Sequence, residues 1–216
     1  MIRKFLVATM ALSLTVTTLA CGGIESSSNA PVSSSPAAQT EAPVAAPTAI
    51  QDGSYPVQQA TYDDGTGEYE LMLLNTPAGT PPVYRTPNLQ MARLTDAEIQ
   101  AGQKSYLKVE NSQPVFYLTE DFRIEYVHNV TENQTNPQTG QQETVVVRRE
   151  SNFWTPFAGA LAGQAIGSLL FTPHYYIPPV YTPGTVLTGY GGYGRSYNDA
   201  VSSYRTRYSA APAEVR

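Results

Sequence analysis

The chain of 216 residues contains one cysteine, Cys21, and two histidines, His128 and His174. A single cysteine cannot form an intramolecular disulfide, and it excludes a zinc site built from two or more thiolates of this chain. The two histidines lie in separate segments without the spacing of metal ligands, so we predict that both are structural. The sequence therefore predicts no metal site and no cofactor.

Charge is also scarce, at 14% of residues, and the formal net charge is −5. Nucleic-acid binding needs clustered Lys and Arg to neutralise phosphates. An acidic chain of low charge density is therefore not expected to bind nucleic acid.

Catalytic signatures are missing as well. The sequence contains no G-x-S-x-G motif and no phosphate-binding loop. The paired carboxylates at positions 63–64 and 120–121 are interpreted as turn residues beside strands. The expectation is a protein without catalytic residues, and the alternative is a hydrolase with a shallow site that gathers Asp121, Glu125 and His128.

The first twenty residues have the pattern of an export signal. Arg3 and Lys4 precede fifteen apolar or hydroxyl-bearing residues, FLVATMALSLTVTTL. This run is shorter than the roughly 20 residues of a membrane-spanning helix, and it has the length of the hydrophobic region of a signal peptide.

The next residues, Thr18-Leu19-Ala20-Cys21, resemble the lipobox of bacterial lipoproteins, although Thr18 stands where that motif prefers leucine. The resemblance implies that residues 1–20 are removed as a signal peptide and that the sulfur of Cys21 carries a diacylglycerol. It also implies a location at the bacterial cell membrane or outer membrane, facing the periplasm or the exterior. Two acyl chains are sufficient for stable anchoring.

Residues 21–54 are rich in Ser, Pro and Ala and carry three charged residues. Such a segment cannot bury enough apolar surface to offset its ordering entropy, so we predict a disordered tether.

Residues 55–150 have the alternation of β-strands. Segments 55–62 and 67–74 flank an Asp63-Asp64-Gly65 turn signal, and segments 122–130 and 143–150 make the clearest hairpin. Thr95 and Glu98 form a capping-box pattern at the start of a short helix. The predicted fold class is α+β, with a small, mainly antiparallel β domain and one short helix in this range.

Residues 151–194 contain no Asp, Glu, Lys or Arg. Within them, Gly159, Gly163 and Gly167 have the four-residue spacing of a glycine zipper, which predicts a helix in residues 151–172. A helix over residues 157–171 would be about 22 Å long, too short for the roughly 30 Å hydrocarbon core. Either it packs against the β domain, or it mediates self-association and membrane insertion.

Residues 173–216 are rich in Pro, Tyr and Gly and are predicted to be irregular. Apolar positions at helical spacing also predict a terminal helix over 196–208. Clustered aromatic rings on irregular backbone either form a binding surface or wrap across the folded domain. The candidate surface residues are Tyr175, Tyr176, Tyr181, Tyr190 and Tyr193.

These features predict a membrane-anchored envelope lipoprotein with a structural or binding role. Its candidate partners are the membrane, through Cys21, and a cell-wall glycan or other envelope proteins. The alternative that uses Gly159, Gly163 and Gly167 is a homo-oligomeric, membrane-inserting protein.

Overall fold

Eleven strands joined in one mixed sheet dominate the structure. A computed structural model describes residues 48–159 and 167–213, which belong to the compact unit Glu41–Arg216. The elements, in chain order, are β1 (Gly53–Asp63), β2 (Glu68–Leu73), β3 (Val83–Thr86), β4 (Gln90–Arg93), α1 (Asp96–Gln100), β5 (Tyr106–Glu110), β6 (Gln113–Leu118), β7 (Ile124–Thr135), β8 (Gln142–Thr155), α2 (Gly167–Leu170), β9 (His174–Ile177), β10 (Leu187–Thr188), β11 (Gly192–Gly194) and α3 (Tyr197–Tyr208).

Strand β1 belongs to both halves of the sheet. Its first residues, Gly53 to Pro56, pair with β5, whereas its last residues, Ala60 to Asp63, pair in parallel with β7. From β5 the strand order continues through β6, β4, β9 and β11, and from β7 it continues through β8 and β10. Strands β2 and β3 are attached to the other edge of β1. Side chains from both halves form one core.

Aromatic rings occupy the centre of this core. The Tyr62 ring lies 4.8 Å from that of Tyr69, 5.3 Å from that of Tyr126 and 6.4 Å from that of Trp154, measured between centroids. Trp154 is fully buried, and its indole nitrogen donates a hydrogen bond of 2.6 Å to the carbonyl oxygen of Gly189. The buried polar end of the ring is therefore satisfied.

Several local predictions are confirmed. The segments on either side of Asp63-Asp64-Gly65 pair as β1 and β2, and β7 and β8 form the expected hairpin. The Thr95 hydroxyl accepts a hydrogen bond from the Glu98 backbone, and the Glu98 carboxylate accepts one from the Thr95 backbone. The predicted terminal helix is present as α3.

The predicted α+β class with a glycine-zipper helix is wrong, because the described protein is mainly β. Gly159 has a φ of +71° and lies in a turn, and Gly167 begins the four-residue helix α2. Gly163 lies outside the described residues. Residues from the segment predicted to be irregular form β9, β10 and β11, which complete the sheet. The predicted boundary at residue 150 falls within β8.

The glycines of β11 allow helix α3 to lie directly on the strand. A Cβ atom on Gly192 would be 2.2 Å from the carbonyl oxygen of Ala200, and one on Gly194 would be 2.4 Å from the Cβ of Asp199. Helix α3 buries Ala200, Val201 and Tyr204 in this contact. The GYGGYG segment thus serves close packing of a helix on a strand.

None of the helices in residues 48–159 and 167–213 combines the length and apolar character of a transmembrane helix.

We expect Gly192→Ala to lower the free energy of unfolding by about 3 kcal/mol, because the methyl group would overlap the backbone of α3. Chemical denaturation followed by circular dichroism measures this change. Gly140→Ala is the control, since its φ is +68° and no atom lies within 4 Å of the added Cβ. It should cost about 1 kcal/mol from backbone strain alone. Equal effects of the two substitutions would contradict the packing argument.

Candidate functional site

The five tyrosines predicted as a binding surface occupy different environments. Tyr176 is in the core, with 3% of its surface exposed, and Tyr175 packs against the small cluster beneath α3. Tyr181 is half-buried and stacks on His128. Only Tyr190 and Tyr193 form a pair that reaches the surface, with ring centroids 5.1 Å apart and an interplanar angle of 63°.

This pair is completed by an arginine that the sequence analysis missed. The Arg207 guanidinium lies 5.8 Å from the centroid of the Tyr190 ring and donates a hydrogen bond to the Tyr190 backbone carbonyl. Tyr193 is 37% exposed. We call Tyr190, Tyr193 and Arg207 the tyrosine–arginine surface. The predicted terminal helix places Arg207 on α3, but its contact with Tyr190 depends on how α3 packs on β11.

Tyr176 supports this surface from below. Its ring lies 5.2 Å from that of Tyr190, and its hydroxyl oxygen is buried without a hydrogen-bond partner. Burial raises the pKa of the Tyr176 hydroxyl far above its usual range, and the neighbouring Tyr190 and Tyr193 add to the rise. Burial also raises the pKa of Tyr190, while the Arg207 charge opposes that shift. Both Tyr176 and Tyr190 are therefore neutral at physiological pH.

The chain segment that contains this surface has a net charge opposite in sign to that of the whole chain. Segment 190–208 carries Arg195, Arg205 and Arg207, which are all exposed, and one acidic residue, Asp199. Tyrosine rings provide flat apolar faces with a polar edge, and guanidinium groups bind carboxylates in a planar geometry. Together they can hold a ring-shaped ligand that carries a negative charge.

A second polar cluster is built around Asp64 at the end of β1. Its carboxylate is 2% exposed and lies 2.5 Å from the Nδ1 atom of His128. It also accepts hydrogen bonds from the Asn129 backbone at 2.8 Å, the Asn129 amide at 3.2 Å and the Tyr126 hydroxyl at 3.3 Å. Asp64 lies in the turn after β1, as predicted, and its buried side chain continues the contact of β1 with β7.

His128 connects this carboxylate to an aromatic neighbour. The imidazole stacks on the Tyr181 ring with centroids 4.4 Å apart and an interplanar angle of 17°. Burial and the carboxylates of Glu150 and Asp64 raise the pKa of Tyr181, so its hydroxyl stays protonated and donates to Glu150. His128 thus joins β7 to the loop that carries Tyr181, as a structural histidine would.

The three residues of the hydrolase alternative are not brought together. The Gln59 amide donates a hydrogen bond of 3.5 Å to the Glu125 carboxylate. Glu125 and His128 are three positions apart in β7, so their side chains lie on opposite faces of the strand. Asp121 lines a separate cleft of about 740 Å³.

That cleft lies where the parallel strands β4 and β6 end. Arg93 is 4% exposed there, and it forms ion pairs of 2.9 Å with Asp96 and 3.3 Å with Glu120. Since two carboxylates already surround this guanidinium, it serves to connect α1 to the turn that follows β6.

Ser105 and Lys108 have the S-x-x-K spacing of some nucleophile–base pairs. In this structure the Ser105 hydroxyl lies 3.4 Å from that of Thr119, whereas Lys108 is exposed and pairs with Glu110 at 2.9 Å. The spacing brings a serine and a lysine to one face on a helix, but here Ser105 directly precedes β5 and Lys108 lies within it, so the two side chains are not brought to one face.

No group of three or more His, Cys, Asp or Glu side chains in the described part of the chain is arranged to hold a metal ion.

Comparisons of the chain with protein-family models, curated proteins and solved structures found no match.

We expect Asp64→Asn to lower the free energy of unfolding by about 3 kcal/mol. Four donors converge on the Asp64 carboxylate, and an amide would direct its own N–H groups at some of them. The matched control is Asp121→Asn on the exposed turn, which should change stability by less than about 0.5 kcal/mol. Thermal or urea unfolding measures both variants. An Asp64→Asn protein as stable as the control would contradict the structural role of this cluster.

Proposed function

We propose that the protein is a bacterial envelope lipoprotein that is anchored through Cys21 and has a binding role without catalysis. The observation that carries this proposal is Cys21 itself, which follows Thr18-Leu19-Ala20 at the end of a signal-like hydrophobic run. Its sulfur carries the lipid and is not available for redox or metal chemistry. In the sequence, the Ser/Pro/Ala-rich segment lies between the anchor and the folded domain.

The binding role is assigned to the tyrosine–arginine surface, and its ligand is an acidic cell-wall glycan. Sugar rings stack on exposed tyrosine faces, and the Arg207 guanidinium attracts carboxylates. Tyr176 holds Tyr190 in place from the core, so little side-chain entropy is lost when a ligand binds. The surface thus offers ring faces for stacking and a positive charge for a carboxylate.

The anchor is tested with Cys21→Ser in a bacterial host that processes lipoproteins. The wild-type chain should incorporate labelled palmitate and fractionate with membranes, because two or more acyl chains hold a protein stably. The serine variant should incorporate no label and remain at the precursor length. Thr18→Leu, which introduces the residue that the lipobox prefers, should leave palmitate incorporation intact. Palmitate label retained by the serine variant would refute the proposal.

The binding surface is tested by co-sedimentation with purified peptidoglycan. Tyr193→Ala should weaken binding about tenfold, because stacking on one ring contributes on the order of 1 kcal/mol or more. Phe153→Ala is the matched control, since Phe153 is 45% exposed and lies 5.9 Å from the Arg123 guanidinium outside the surface. Equal loss in both variants, or no loss in either, would show that the tyrosine–arginine surface does not bind the glycan.

A further inference from the structure

Strands β7 and β8 continue as a two-stranded ribbon beyond the rest of the sheet. Strand β1 pairs with β7 only as far as Val127, and β10 pairs with β8 only at Trp154 and Thr155. The hairpin itself pairs from Ile124–Trp154 out to Thr135–Gln142. We call the paired residues 129–135 and 142–149 the arm. An isolated two-stranded ribbon is only marginally stable in water, so an arm of this length gains from a third strand.

The outer edge of β8 in the arm is open. In the described structure, the ladder of backbone pairs at residues 142–149 is formed with β7 alone. By the geometry of antiparallel sheets, alternate N–H and C=O groups on the other side of the strand point outward. Val146 and Val147 are 52% and 44% exposed at this edge. An edge with free backbone groups and apolar side chains is a template for strand addition.

The charges along this edge indicate which strand fits. The sequence from Glu143 to Arg149 is ETVVVRR, with an acidic residue at one end and basic residues at the other. In an antiparallel pair of two such strands centred on Val146, the acidic end of each strand, at Glu143, lies beside the basic end of the second copy, at Arg148 and Arg149. A parallel pair would place like charges opposite each other, which is unfavourable. The edge is therefore complementary to itself in the antiparallel direction alone.

We propose that two copies of this protein associate through antiparallel pairing of residues 143–149 of β8. The contact is isologous and closes as a two-fold dimer, because each strand supplies the same residues to the other. Strand β8 has one extra residue in this region, since Val130 pairs with Arg148 and Thr131 pairs with Val146. This bulge at Val147 interrupts the ladder, so the paired edge is short and the dimer is weak. The proposal depends neither on the lipid anchor nor on glycan binding, and anchoring both copies in one membrane would strengthen it by raising their effective concentration.

The dimer is tested by disulfide cross-linking of the full-length chain bearing Val146→Cys. The two sulfurs would meet at the two-fold axis, and mild oxidation should give a covalent dimer on a non-reducing gel. Thr131→Cys is the matched control, because Thr131 faces Val146 across the hairpin but lies on the other strand. In the proposed dimer the two copies of position 131 are about 14 Å apart, too far for a disulfide. The wild-type chain, which has no cysteine in the arm, gives the background.

Charge reversal identifies the register. In the Val146→Cys background, Glu143→Arg and Arg149→Glu should each reduce cross-linking about tenfold, because each places like charges opposite each other at two symmetric positions. The double reversal should restore it, which a non-specific loss of folding would not do. Equal yields from the Val146→Cys and Thr131→Cys chains would overturn the proposal. The proposal would also be overturned if the double reversal failed to restore cross-linking. The same holds if the Val146→Cys chain cross-linked to another protein but not to a second copy of itself.

Discussion

The fold depends on one constraint, which is that the two halves of the sheet must be joined at two places. Strand β1 joins them in the middle of the strand order by exchanging β5 for β7 as its partner. The two terminal strands, β10 and β11, are joined by the three residues 189–191. At this second junction Gly189 donates to Thr155 in β8 at 3.1 Å, and Gly191 donates to Ile177 in β9 at 2.8 Å. Residues 187–194 thus connect one half of the sheet to the other.

This junction explains why the glycines and tyrosines of the segment occur together. Gly189 has a φ of +71°, which a larger residue rarely adopts, and a Cβ on Gly191 would be 2.6 Å from the carbonyl oxygen of Pro178. Between them, Tyr190 directs its ring onto Tyr176 in the core. The tyrosine–arginine surface is therefore part of the structural junction. A ring that must be fixed to close the sheet is also a rigid platform for a ligand.

The features that were predictable from the sequence are those that depend on local residues. Asp63-Asp64-Gly65 marked a hairpin, and Thr95 with Glu98 marked a helix start, because both patterns act within a few residues. The four-residue spacing of the glycines at 159, 163 and 167 places them on one face only if the segment is a continuous helix. The positive φ of Gly159 shows that this condition fails at the first glycine. Strands β10 and β11, with two and three residues, have too few positions for an alternation pattern, and long-range pairing defines them.

The candidate sites show the same division. The sequence indicated that tyrosines matter after residue 173, but composition cannot say which rings are buried. Tyr176 and Tyr193 are 17 positions apart in the sequence but are paired across β9 and β11, so their roles follow from the register of those strands. Asp64 is the clearest case, because an Asp-Asp-Gly turn usually faces water, whereas here β7 passes close enough to surround the carboxylate with donors.

The arm differs from the rest of the sheet in how its stability is supplied. Elsewhere, each long strand has neighbours on both edges or packs on the aromatic core, whereas residues 129–135 and 142–149 have mostly exposed side chains and one partner strand each. The Asp64 cluster at its base fixes His128 and Asn129, and so sets the direction in which the arm leaves the domain. A ribbon held firmly at its base and left open at its edge is suited to present that edge to a second molecule. The self-complementary charges of β8 make another copy of this chain the partner that such an edge would select.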